Sequence, residues 1–169
     1  MRAIFSCKRG ARILFFSRGT HLFFMNQAKA LACIYNMEEK KKTIRVVAAI
    51  ITDGERILAT QRGYGAFQGM WEFPGGKIEP GEEPVQALRR EIMEELQLEI
   101  DILRFVSIVD YEYPDFILNM DCYLCNIVGG NMNLTEHLAA KWLTLDELTS
   151  VEWLPADVEL VEQLRQTMK

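Results

Sequence analysis

The chain has 169 residues, of which 49% are hydrophobic, 25% charged and 10% aromatic; this is enough apolar material for one good core and ordinary for a soluble globular domain. The net charge of −5 hides an asymmetry: residues 1–36 hold six basic residues (Arg2, Lys8, Arg9, Arg12, Arg18, Lys29) and no acidic one, so the rest carries 13 basic against 24 acidic residues, a net of −11. A body that acidic repels a nucleic-acid backbone and suits a small anionic ligand delivered with a cation.

The first 36 residues differ in character from the remainder of the chain. Apolar patches (Ile13–Phe16, Leu22–Met25) alternate with single basic residues and lack caps or turn signals. No apolar stretch reaches membrane-spanning length. Three readings stand for this segment: a disordered or non-native extension with translation starting at Met37, a targeting segment without a clean cleavage site, or a functional basic arm. The first is preferred, which makes 37–169 the folded domain.

From Thr43 the signals sharpen. Ile44–Ile51 is a β-branched run suited to a buried strand. Thr52-Asp53-Gly54-Glu55 turns into a second strand, Arg56–Gln61, in what reads as a hairpin. A glycine-rich loop, 63–69, leads to Trp71-Glu72-Phe73-Pro74-Gly75-Gly76. Pro84 opens a helix that runs to about Leu96, Pro being tolerated where no N–H is needed. Strands over roughly 103–111 and 116–128 flank a turn at Tyr113-Pro114-Asp115. A short strand at 139–143, a short helix from Asp146 and a last helix from Pro155 or Ala156 to about Met168 complete the order. This order predicts an α/β (α+β) fold, a mixed β-sheet sandwiched between helices.

Four cysteines are present: Cys7, Cys33, Cys122 and Cys125. Cys122-x-x-Cys125 has no second ligand pair of zinc spacing and lies in a strand, where alternation sends the two thiols to opposite faces. Free thiols in a reducing, cytoplasmic compartment are expected.

The helix over 84–96 carries most of the chemical information. At 100° per residue Glu91, Glu94 and Glu95 share one face, while Val85, Leu88, Ile92 and Leu96 form an apolar stripe. Three adjacent carboxylates repel one another, and a hard divalent cation such as Mg²⁺ removes that cost; Arg90 stands ready to orient one of them. Taken alone, the acidic face is as well explained by solvation.

The spacing around that face is more specific. Gly76, Glu82, Arg90-Glu91 and Glu94-Glu95 stand in the register of a 23-residue signature, with every charged position present. The pattern resembles the Nudix box, and residues 43–166 resemble the MutT branch of that superfamily, on Val46-Val47-Ala48-Ala49, Gln61-Arg62, Trp71 through Lys77, Lys141-Trp142-Leu143 and Leu154-Pro155-Ala156-Asp157. One position departs. The family usually has Gly after the helix, whereas Gln97 stands here and must close it in a left-handed conformation or otherwise.

The resemblance implies a Nudix-type α/β/α sandwich that hydrolyses a (deoxy)nucleoside triphosphate, of oxidised (8-oxo-dGTP) or cytidine type, to the monophosphate and pyrophosphate. It implies Mg²⁺, with Mn²⁺ as a substitute, held by Glu91, Glu94, Glu95, the Gly75 carbonyl and Glu136, which stands six residues before Trp142. Glu82 becomes an outer ligand or an orienter. The proton acceptor from water is Glu91 as first choice and Glu136 as second, with Arg90 in support. Arg62, Glu72, Phe73, Lys77 and Asp157 are the expected substrate contacts, although Arg62 and Lys77 can equally be surface charges and Asp157 a helix-start acid. Trp71, Phe73 and Tyr64 either stack on a base or belong to the core. The expected partner is a small nucleotide rather than a nucleic-acid polymer or a membrane, with the protein a monomer or homodimer. Another nucleoside diphosphate derivative as substrate, or a nucleotide-binding regulator without turnover, are the alternatives.

Overall fold

The computed structural model describes residues 4–6, 12–14 and 41–168, and the chain divides into two compact units, residues 1–40 and 41–169. In the first unit, β1 (Ile4–Ser6) and β2 (Arg12–Leu14) pair antiparallel, a pairing for which the sequence offered no turn signal. The rest of the segment expected to be an extension lies outside the described residues.

The second unit runs β3 (Lys42–Ile51), β4 (Arg56–Arg62), β5 (Trp71–Glu72), α1 (Pro84–Leu96), β6 (Leu98–Glu112), β7 (Phe116–Gly130), β8 (His137–Thr144), a 3₁₀ turn (Glu147–Ser150) and α2 (Pro155–Thr167). Two three-stranded sheets result. One is mixed, with β7 between β3 (parallel) and β6 (antiparallel); the other is antiparallel, with β4 between β5 and β8. The hairpin expected of β3 and β4 does not form as a ladder. The turn is made, by Asp53 N–H donating to the Arg56 carbonyl at 3.2 Å, but past a single bridge at Thr52 and Ile57 the strands enter different sheets. The physical reason is burial: β3 is apolar on both faces and takes the long partner β7 over ten residues, Lys42↔Phe116 to Ile51↔Cys125.

Alternation along β3 divides the core. Ala48 and Ile50 pack with Ile57, Cys122, Leu160 and Leu164 on the α2 side, whereas Val47, Ala49 and Ile51 pack with Leu58, Leu88, Ile92, Leu96 and Cys125 on the α1 side. The strands thus form a layer between two helices, the expected sandwich. Cys122 and Cys125 are free, fully buried and on opposite faces. Burial pushes the Cys125 thiol up to about 12 and raises that of Cys122 further, so neither is poised for thiolate chemistry.

Helix α1 corrects one expectation. Val85 is exposed and Ala87 takes its place in the buried stripe with Leu88, Ile92 and Leu96. Its N-terminus is closed by Pro84 and by the Glu83 N–H donating to Gln86 Oε1 at 3.3 Å. Its C-terminus is closed by Gln97 in the left-handed region (φ 55°, ψ 36°), whose N–H donates to the Met93 carbonyl at 3.1 Å. Gln97 is the one non-glycine residue of positive φ among the described residues, so the side chain accepts a strain of about 1 kcal/mol to make the turn into β6. β6 starts at Leu98, earlier than expected, because that turn leads directly into pairing with Gly130. Among the described residues no helix is long and apolar enough to cross a membrane.

Candidate active site

The glycine-rich segment after β5 is held by the free edge of β3. Val47 N–H donates to the Gly76 carbonyl (2.9 Å), Ala49 N–H to the Pro74 carbonyl (2.8 Å), and Ile78 N–H to the Arg45 carbonyl (3.1 Å). Pro74 to Ile78 thus runs beside β3 as an extra edge, opposite the acidic face of α1. Gly75 has φ 150°, and a Cβ there would overlap the Val47 carbonyl; a Cβ at Gly76 would fall on the Glu91 carboxylate. Only glycine lets this backbone come so close.

Arg90 organises the carboxylates. Its Nε and Nη2 donate to Glu82 Oε1 and Oε2, both at 2.9 Å, its Nη1 to Glu91 Oε1 (2.9 Å) and Glu94 Oε2 (3.1 Å), and its Nη2 also to the Lys77 carbonyl (3.0 Å). Donating to Glu82 first, then to Glu91 and Glu94, raises the guanidinium pKa further above its usual value. Glu82 thus holds the Arg90 guanidinium through both of its carboxylate oxygens. Glu95 differs: it is buried, and its Oε2 accepts from the Gly75 N–H at 3.2 Å. Burial pushes its pKa up to about 7; His137 and the Gly75 amide oppose this, and the charges of Glu91 and Glu72 add to it.

The loop before β8 brings in Glu136. Thr135 Oγ1 donates to the carbonyls of Glu94 (2.8 Å) and Glu95 (3.0 Å), and the Thr135 N–H donates to Glu95 O at 3.0 Å. These bonds satisfy orphan carbonyls at the end of α1 and set Glu136 next to the acidic face. Tyr64 Oη donates to Glu136 Oε2 at 2.9 Å.

A cavity of about 420 Å³ joins these groups to a second cluster. Gly75, Gly76, Lys77, Glu91, Glu95 and Glu136 line it together with Phe73, Phe116, Leu118, Leu154 and Asp157, and Arg62, Tyr64, Glu72 and His137 are also on its wall. Of the expected site residues, Glu82, Arg90 and Glu94 are not on this wall. Glu94 is exposed and turned to Arg90, and among the described residues no three acidic, His or Cys side chains stand clustered around a common point. Trp71, a candidate for base stacking, is core: it is buried beneath Lys141, whose Nζ lies 4.7 Å from its ring, and is not on the cavity wall. Phe73 is both core and wall, stacked on Trp153 with ring centroids 4.6 Å apart.

Asp157 sits in the first turn of α2, 4% exposed, with the backbone of Phe73 as a hydrogen-bond partner. Burial, and next the Glu72 charge, raise its pKa well above the usual carboxyl value, so it is favoured as the neutral acid. The unfolded chain ionises this group near 3.8 while the native state retains the proton, so the stability it contributes is present at low pH and is lost as pH rises until the folded group ionises. Asp157→Asn is therefore expected to flatten the fall of melting temperature with rising pH and to melt higher than the native chain at neutral pH. Thermal melts across pH check this; parallel profiles would refute it.

Two groups on the wall had no counterpart among the sequence motifs. His137 lies opposite Arg62 in the β4–β8 register, with Nε2 3.4 Å from Glu72 Oε1, while Arg62 Nη1 donates to Glu72 Oε2 at 2.6 Å. Alternation of Ala139 and Leu143 toward the α2 side would have pointed His137 inward. The aromatic group Phe67, Tyr113 and Phe116, with centroids 4.8–5.6 Å apart, joins the glycine-rich loop to the turn between β6 and β7, a long-range meeting that left no local signal.

Glycines packed on an acidic helix, a single arginine tying three glutamates, and a cavity between the helix layers define a hydrolase of the Nudix family, to which this chain belongs; the family model for the NUDIX domain matches residues 42–164. Within that family its relatives include CTP pyrophosphohydrolase of Escherichia coli (strain K12), 38% identical over 122 residues, which are 72% of this chain and 90% of that protein. The 8-oxo-dGTP diphosphatase of Haemophilus influenzae is 35% identical over 126 residues, 73% and 93% of the two chains. Among solved structures, the crystal structure of a MutT NUDIX hydrolase from Burkholderia pseudomallei superposes with a TM-score of 0.68 at 26% identity, covering 73% of this chain and 99% of that one.

Proposed function

We propose that this enzyme hydrolyses a (deoxy)nucleoside triphosphate to the monophosphate and pyrophosphate, with Mg²⁺ held by Glu91, Glu94, Glu95, the Gly75 carbonyl and Glu136. The observation that carries the reading is one cavity lined both by the carboxylates of Glu91, Glu95 and Glu136 and by Phe73, Phe116 and Asp157, which suits a polyphosphate joined to a base. The relatives are named for action on CTP and on 8-oxo-dGTP.

On the cavity wall Gly75, Glu91, Glu95 and Glu136 suit a hard cation, and Glu94 would join them by turning from Arg90. All donors are oxygens, and Glu95 is a buried acid whose pKa is pushed up to about 7 with no hydrogen-bonding cationic side chain of its own among the described residues; a divalent ion would relieve that. When bound, the ion neutralises phosphate charge and orients the attacked phosphorus. Lys77 and Arg62 supply positive charge along the same wall. Between the two candidates for taking the proton from water, Glu136 is favoured over Glu91. Glu91 is engaged by Arg90, while Glu136 is exposed and its Oε1 has no hydrogen-bond partner among the described residues.

Asp157 as a neutral acid offers a donor and an acceptor together. That pairs with the amino group and ring nitrogen of cytosine, and also with the carbonyl and N–H of an oxidised guanine. Assaying CTP, dCTP, 8-oxo-dGTP, dGTP and ATP with Mg²⁺, alongside a nucleotide sugar, separates the possibilities. Pyrophosphate release from a cytidine or oxidised guanine triphosphate is expected. Release of phosphate without pyrophosphate, or turnover of the nucleotide sugar alone, would refute the reading.

A further inference from the structure

Tyr64 is 53% exposed, so packing does not account for where its ring lies. Two contacts do. Its hydroxyl donates to Glu136 Oε2 at 2.9 Å, across 72 residues of sequence, and the guanidinium carbon of Arg62 lies 5.1 Å from its ring centroid. Arg62 is itself fixed by Glu72, so the ring is held over a cation that cannot swing away. Next to it, a Cβ on Gly63 would overlap the Glu136 carbonyl, so the backbone of the glycine-rich loop is packed directly on the residue whose side chain the phenol holds.

We propose that Tyr64 is a positioning residue: its hydroxyl holds the Glu136 carboxylate at the cavity wall and leaves Oε1 free toward the reacting water. The proposal rests on Glu136 being the group that takes the proton from water. The backbone around Glu136 is held by Thr135 at the end of α1 and by the pairing of His137 with Arg62. The exposed glutamate side chain still has three rotatable bonds, and among the described residues the phenol is the hydrogen-bond partner that selects one orientation. A role as a stacking platform for the base would need the ring and not the hydroxyl.

Tyr64→Phe separates the two, since it keeps the ring and removes the bond. Kinetics of Tyr64→Phe, Glu136→Gln and the double variant, with Mg²⁺ and the best triphosphate, are measured together with peptide-level hydrogen exchange over 131–138. The expected result is a kcat lowered about tenfold at unchanged KM, no further loss when Tyr64→Phe is added to Glu136→Gln, and faster exchange over 131–138 with α1 unchanged. The same loss of kcat in both backgrounds, a native kcat in Tyr64→Phe, or unaltered exchange over 131–138 would overturn it. Because exchange is read without nucleotide, a protein that turns over no triphosphate would refute the proposed function and still leave the tie between Tyr64 and Glu136 decided.

Discussion

Glu95→Gln lowers turnover by roughly three orders of magnitude and at the same time raises the melting temperature of the metal-free protein by several degrees. The loss of rate is on the scale of removing one strong electrostatic stabiliser of a transition state, because Glu95 is the most buried of the three helix carboxylates and the one on the cavity wall that touches the Gly75 backbone. The gain in stability has the opposite origin. A carboxyl held at about 7 instead of 4.5 is an acid whose ionised form the native state disfavours, by roughly 3 kcal/mol once fully ionised. Its folded value is raised, so the unfolded chain loses the proton first, and the stability Glu95 contributes without metal is fully present below about 4.5 and is lost as pH rises through about 7. Glutamine keeps an acceptor for the Gly75 N–H and has no charge to bury. Melts from about pH 4.5 to 8 with and without Mg²⁺ test both halves: the native chain gains from the ion as any native-state ligand requires, and Glu95→Gln does not. Turnover by Glu95→Gln at the native rate would remove Glu95 from the metal site.

Gly75→Ala and Gly76→Ala are adjacent, chemically identical changes with different expected failures. At Gly75 the new methyl meets the backbone of β3, which cannot move without opening the sheet edge, and φ 150° is itself unfavourable for alanine. A loss of roughly 3 kcal/mol or more is expected, seen as poor folding with or without metal. At Gly76 the three atoms nearest the methyl all belong to the carboxylate end of Glu91, a flexible side chain that can turn aside. Gly76→Ala should fold with a near-native melting temperature but lose about a hundredfold in kcat, because Glu91 is displaced from the Arg90 bond and from the cavity. Paired melts and single-turnover rates distinguish these outcomes; a Gly76→Ala variant with native kcat would mean that the Glu91 position is immaterial.

Much of this site was written within short stretches of chain. The shared face of Glu91, Glu94 and Glu95, the role of Pro84 at the helix start and the opposed thiols of Cys122 and Cys125 follow from helical and strand periods and from backbone preferences over a few residues, whereas the left-handed closing at Gln97 was one of two readings the sequence left open. The spacing from Gly76 to Glu95 pointed to the family for the same reason: one loop and one helix carry all of it. What tertiary structure alone decided has large sequence separation. β3 takes β7 in preference to its neighbour β4, because burying both faces outweighs a short hairpin connection. Trp71 went into the core, and Val85 faced solvent while Ala87 took its place in the buried stripe. Tyr64 meets Glu136, and Arg62 meets His137 through Glu72, across two sheet registers that spacing along the chain does not encode. Local conformation is set by neighbours in sequence, whereas a cavity wall is set by which strands pair, and pairing is chosen by the burial of the whole layer.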